Sequence, residues 1–197
     1  MDKLCQHPSV DIQWGNHDIL WMGAYAGSRA CLMTLLRIAA RYNYLYEIEQ
    51  AYALNLRPLF MYAEEHYEKN PIFTPKEKNS SESYSIESLD SLEKVHQALS
   101  ILQFKLEGQL IKRHPEFQMD DRLLFEKIDF DKNTVHLAGK DYPLQGSCFQ
   151  TLQEDVHALT KQEDYVVDML LASFQQSTKM QEHMQLLLNK GSMYLVY

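Results

Sequence analysis

Between Val10 and Gly23 the chain changes its period. Apolar residues alternate at Val10, Ile12 and Trp14, the two-residue repeat of a half-buried strand; the run stops at Gly15, and from Ile19 the spacing becomes helical. Three polar side chains, Asn16, His17 and Asp18, therefore stand where strand gives way to helix. In α/β folds that juncture, outside the carboxyl end of a strand, is where ligands bind. Asn16 offers a neutral amide oxygen, a hard ligand for a divalent cation, and His17 a nitrogen that binds metal or delivers a proton near neutral pH. A turn with a surface histidine is the plainer reading of the same residues.

The rest of the composition narrows the partners. A chain of 197 residues is long enough for one domain with a real core, or one domain and an appendage. The hydrophobic fraction of 45% fits a globular protein, and the richest apolar segment is interrupted by Arg29 and Arg37, so no run approaches the length that crosses a bilayer. The N-terminal residues lack the apolar core and small-residue cleavage site of a secretory leader. Cys5, Cys31 and Cys148 are scattered and odd in number, which offers no disulfide framework and fits a reducing cytosol. A net charge of −8 argues against a nucleic-acid partner. It leaves room for a small anionic substrate, because a metal or a local arginine cluster reverses the field inside one pocket.

Along the chain, residues 1–7 lean helical before Pro8 and Ser9. Residues 19–42 read as one long helix with Leu20, Ala24, Leu32, Leu35, Leu36 and Ala39 on its apolar face; Gly23, Ala24, Ala26, Gly27 and Ser28 thin its first half for close packing. Short helices follow over 44–53 and from Leu59 to Tyr67. Six tyrosines cluster here, read first as interhelical packing, and Arg37, Arg41 and Arg57 stand as candidate phosphate contacts against the commoner case of surface arginines. Residues 70–83 read as a flexible loop or lid. Asp90 and Glu93 read as a capping box for a strongly amphipathic helix ending near Arg113, within which Gly108 signals close packing. A brief helix over 120–127 precedes a hairpin over 131–144, with Gly139-Lys140-Asp141 near its turn. Thr160 and Glu163 form a second capping box for a helix placing Val166, Met169, Leu170 and Phe174 inward; Thr178 and Gln181 repeat the device for a last helix, stopped near Gly191. Residues 192–197 read as a strand.

Other constellations of chemistry fail. Asp155-Val156-His157 has metal-ligand residue types but sits in an apparently helical setting. Cys148 has no nearby basic group to activate it, and no Gly-x-Ser-x-Gly is present. His7, His66, His96, His114, His136 and His183 read as isolated residues on surfaces or at helix caps.

Gly15-Asn16-His17-Asp18 resembles the Gly-Asn-His-Asp/Glu signature of calcineurin-like metallophosphoesterases. Longer blocks together resemble one branch, the class III fructose-1,6-bisphosphatases of Firmicutes: Ser9 through Gly23, Asn55-Leu56-Arg57-Pro58, His96 through Arg113, and Lys190 through Tyr194. The resemblance implies a cytosolic, manganese-dependent enzyme that hydrolyses fructose 1,6-bisphosphate to fructose 6-phosphate in gluconeogenesis. Its partners would be a phosphorylated sugar and, at most, further copies of the chain, with neither nucleic acid nor membrane. Carried over by position, Asn16 is a metal ligand facing the phosphate, and His17 hydrogen-bonds the phosphoryl group and assists leaving-group protonation. Asp18, which stands where relatives outside this branch have glutamate, is carried over with His17 as a catalytic residue. The implied fold is α+β and predominantly helical: a partial metallophosphatase core over 1–42, a large helical insertion over 43–190 carrying the small hairpin, and a strand returning to the core over 191–197. Asp-x-His and Gly-Asp-x-x-Asp-Arg segments are expected before Met1 and a His-Gly ligand beyond Tyr197, so the chain reads as the middle of a longer enzyme with little activity alone. The rival expectation is a non-enzymatic helical interaction or oligomerisation module retaining a relic motif.

Overall fold

The computed structural model describes residues 2–76, 86–144 and 155–192, the side chains of Asp2, Cys5 and residues 86–88 excepted. The far part of the expected 70–83 loop, Cys148 and the strand beyond Ser192 lie outside the described residues. Among the described residues the architecture is mostly helical with two small sheets. Helix α1 (Asp2–Gln6) leads into strand β1 (Ile12–Gln13), then α2 (Asn16–Tyr25), α3 (Arg29–Arg41), α4 (Leu45–Tyr52), α5 (Arg57–His66) and the long α6 (Ile86–Arg113). Strands β2 (Ile128–Asp129), β3 (Thr134–Leu137) and β4 (Lys140–Pro143) form an antiparallel sheet. Helices α7 (Lys161–Gln176) and α8 (Thr178–Lys190) end on β5 (Gly191–Ser192), which pairs in parallel with β1.

The helix expected over 19–42 is two helices. Gly27 takes φ +103°, which suits glycine and ends α2, and Ser28 restarts the chain as the N-cap of α3, its Oγ accepting the Cys31 N–H. The small residues expected to admit a neighbour do so within this pair, since Gly23 lies against the Cys31 side chain. Asp90 and Glu93 do not cap α6, which begins a turn earlier; Asp90 pairs with Lys69, and Glu93 accepts the Thr74 hydroxyl. Tertiary contacts have claimed both carboxylates. The Thr160–Glu163 box forms as expected, whereas α8 is capped by Ser177, whose Oγ accepts the Met180 N–H, rather than by Thr178. Met169 turns outward, and the span 120–127 is two short 3-10 turns.

The core is one cluster. Leu32, Leu36 and Ala39 of α3 meet Leu99, Leu102 and Leu106 of α6; Leu59 and Tyr62 of α5, Val167 and Phe174 of α7, and Met180 and Met184 of α8 complete it. Two histidines expected on surfaces or set aside belong inside it. His96 hydrogen-bonds the Phe73 carbonyl through Nδ1. His157 presses its ring on Gly108, where a Cβ would fall 2.1 Å from Nδ1, which accounts for a glycine within α6. Among the described residues neither His157 ring nitrogen has a hydrogen-bond partner, Glu126 Oε1 standing 3.5 Å from Nε2.

Burial holds the imidazoles of His96, His157 and His183 below the usual value of 6.5, helped by Arg37 and Arg41 at His96 and by Lys112 at His157. The unfolded chain therefore binds more protons than the folded one just below about pH 6.5, and stability rises with pH across that window. The melting temperature is expected to fall as pH drops from about 7.5 to about 5.5, before carboxylates titrate; a flat profile would contradict it.

Candidate functional site

Strand β1 ends at Gln13, and the next residues are fixed from across the chain. The Trp14 N–H donates to the Ser192 carbonyl at 2.8 Å, and its indole Nε1–H donates to the Leu187 carbonyl at 3.0 Å. The indole lies across Gly191, where a Cβ would meet Nε1 at 1.7 Å, so any larger residue at 191 would displace it. Gly15 then serves as N-cap of α2 in an extended conformation. With no side chain to give, it relies on the reverse half of a capping box: the Asp18 carboxylate accepts the Gly15 N–H at 2.7 Å.

Asn16 and His17 thus form the first helical turn, both exposed, and neither side chain hydrogen-bonds another described residue. The first N–H groups of a helix have no intrahelical acceptor, and the dipole places partial positive charge there, an environment suited to an anion. Of the three residues singled out from sequence, two present free donors and acceptors to solvent, and the third is half-buried and engaged in holding the loop.

Sequence reasoning missed what stands behind them. Trp21, one turn after Asp18, packs between Tyr52 of α4 (centroids 5.1 Å), Phe174 of α7 (5.6 Å) and His183 of α8 (5.7 Å). The Tyr52 hydroxyl hydrogen-bonds His183 Nδ1 at 3.0 Å. Burial pushes the Tyr52 phenol up and the His183 imidazole down, while the Asp18 charge acts on His183 in the opposite sense. His183 is therefore within electrostatic reach of the motif. The only sequence signal for this wall was aromatic character.

As a metal site the arrangement is partial. Asn16 fits as one neutral oxygen ligand, and among the described residues no three histidines, cysteines or carboxylates are placed to hold an ion.

Comparison with known proteins bears on the same residues. A family model described as Firmicute fructose-1,6-bisphosphatase matches residues 1–197. A class 3 fructose-1,6-bisphosphatase of Streptococcus sanguinis is 54% identical over 198 residues, covering all of this chain and 31% of that protein. Proteins of the same name from Staphylococcus xylosus and Pediococcus pentosaceus are 53% and 51% identical, each with 30% of its length covered. The chain thus spans about 30% of the length of these curated relatives. No solved structure matches.

Proposed function

The chain belongs to the Firmicute fructose-1,6-bisphosphatase family, and from that membership we propose that it supplies one wall of an active site hydrolysing fructose 1,6-bisphosphate to fructose 6-phosphate and phosphate. The observation that carries this reading is the exposed Asn16-His17 pair on the first turn of α2, held by Asp18 and by the β1–β5 contact. In a metal-dependent cytoplasmic enzyme of this kind, Asn16 would be one ligand of a divalent pair, manganese by resemblance, whose other ligands come from outside these residues. Such a pair would supply Lewis-acid stabilisation of the phosphoryl charge.

The chain's own residues have separable tasks. The N-terminus of α2 offers backbone N–H groups and dipole charge to the phosphate. His17 donates a hydrogen bond to a phosphoryl oxygen and a proton to the departing sugar alkoxide, a role worth about 10²–10⁴ in rate. Asp18 positions rather than reacts, since its carboxylate holds Gly15. Residues 1–42 and 191–197 would belong to a calcineurin-like core whose parallel sheet includes β1 and β5, and 43–190 would be a helical insertion.

The test is a chimera in which residues 1–197 replace the matching segment of the Streptococcus sanguinis relative. Fructose 1,6-bisphosphatase activity with manganese is expected in the chimera, little or none in the isolated chain, and a loss of about 10²–10⁴ in kcat in the chimera on His17→Ala. An inactive but folded chimera, or full activity after His17→Ala, would sink the assignment. Robust turnover by the isolated chain, abolished by the same substitution, would overturn the claim that it is one wall only.

A further inference from the structure

Helices α3 and α6 are joined by a polar ladder whose charge runs out before its length does. At one end Glu107 Oε1 accepts from Gln103 Nε2 at 2.6 Å and faces the Thr34 hydroxyl at 3.5 Å. Next, Arg37 Nε–H donates to Gln103 Oε1. One turn further along α3 stands Arg41, opposite His96 of α6, with no hydrogen bond or ion pair to another described side chain. Lys76 closes this end: its N–H donates to the Arg41 carbonyl at 2.8 Å, and its Nζ lies 5.2 Å over the ring of Tyr42.

Arg37 and Arg41 repel one another across one turn, and Lys76 joins this end through its N–H on the Arg41 carbonyl and its Nζ over the Tyr42 ring, while Glu93 keeps one buried oxygen without a partner among the described residues. Glu107 reaches Arg37 only through space, Gln103 standing between them, and Glu93, one turn from His96, accepts from Thr74 and acts on Lys69. The cost of the cluster is visible in its members. Burial and the repulsion of Arg41 hold the half-buried Arg37 guanidinium below its ordinary range, and both arginines depress His96. Like charges at i and i+4 destabilise a helix. The dipole at the C-terminus of α3 favours a cation in the last turn, which accounts for Arg41 and leaves the half-buried Arg37 and Lys76 unexplained. In a chain of net charge −8, neighbouring cations with no direct ion pair to a described carboxylate are the local exception.

We infer that Arg37, Arg41 and Lys76 form a binding site for a small phosphate-bearing anion. The Nε–H bond to Gln103 fixes the plane of the Arg37 guanidinium and leaves its terminal N–H groups for bidentate contact with phosphate. Arg41 contributes a second fork one turn away. Lys76 contributes a point charge, and the exposed face of Tyr42 flanks the group. The site does not depend on the phosphatase assignment, because none of its residues belongs to the Asn16-His17 turn.

The experiment is calorimetric titration of the 197-residue chain at low ionic strength with inorganic phosphate, fructose 6-phosphate and, as the uncharged control, fructose. Both phosphates are expected to bind and fructose not. Arg41→Gln, an exposed substitution, is expected to weaken binding about tenfold or more, and Arg37→Gln with Arg41→Gln to abolish it, with melting temperature verifying the fold. Arg57→Gln is expected to leave it unchanged, and any component of binding that His17→Ala alone removes would belong to the α2 turn and not to this site. Fructose 6-phosphate binding much more tightly than phosphate would identify a sugar phosphate as the natural source, and equal binding would identify free phosphate. No binding of either phosphate, or binding lost with His17→Ala and retained in Arg41→Gln, would overturn the inference.

Discussion

Glu163→Ala is expected to lower the stability of the chain by about 3–5 kcal/mol, the cost of leaving a buried charge without its partner. Lys105 and Glu163 are both 0% exposed, with Lys105 Nζ 2.9 and 2.8 Å from the two carboxylate oxygens. Glu163 also accepts the Tyr62 hydroxyl at 3.1 Å and the Thr160 N–H at 2.7 Å. One side chain therefore ends the first turn of α7 and ties it to α6 and α5. The Tyr62 phenol is pushed far above its ordinary range by burial first, then by Tyr67 and Glu163, so it keeps the proton that it donates to Glu163. Urea unfolding measures the effect. Lys105→Met combined with Glu163→Leu should recover much of the loss, since an apolar pair of similar volume carries no desolvation penalty. A single substitution costing under about 1 kcal/mol would mean that water or another group replaces the carboxylate.

Phe174→Ala is expected to cost about 3–5 kcal/mol, the range for emptying a fully buried aromatic site. Phe174 is wholly buried and stacks on Trp21, whose ring also touches Tyr52 and His183. The cavity would open directly beneath α2. Denaturant unfolding should show the loss, and fluorescence should shift toward that of a hydrated indole. A loss below about 1 kcal/mol would show that the neighbouring rings collapse into the space.

What could be seen in the sequence was what the chain decides locally. The Thr160–Glu163 box, the hairpin around Gly139 and the change of period at Gly15 each depend on residues within a few positions of one another, and each stands where expected. Family membership was legible for a related reason, because the blocks carrying it are contiguous. Errors arose where distant partners outbid local preference. Asp90 and Glu93 carry the spacing of a cap, yet Lys69 and Thr74 take them. The Gly27-Ser28 break was written in a plain stop-and-cap pair and was overridden by the apolar periodicity on either side. At the candidate site, Asn16, His17 and Asp18 could be singled out because the motif is short and contiguous. Tyr52 and His183 were not, since they lie 131 residues apart and meet only after α4 and α8 have packed. A buried lysine such as Lys105 is invisible to a hydrophobic pattern until its carboxylate is located.

The contact that seats Trp14 on the last turn of α8 has a thermodynamic consequence for any larger fold containing this chain. Trp14 and Leu187 are 173 residues apart, yet the indole of one donates to the carbonyl of the other. Tethering the ends of a flexible loop of that length costs about 4–5 kcal/mol in chain entropy. Helices that pack first would deliver β1 and β5 already adjacent, so an assembling sheet would meet both strands as a preformed unit and would not bear that loss itself.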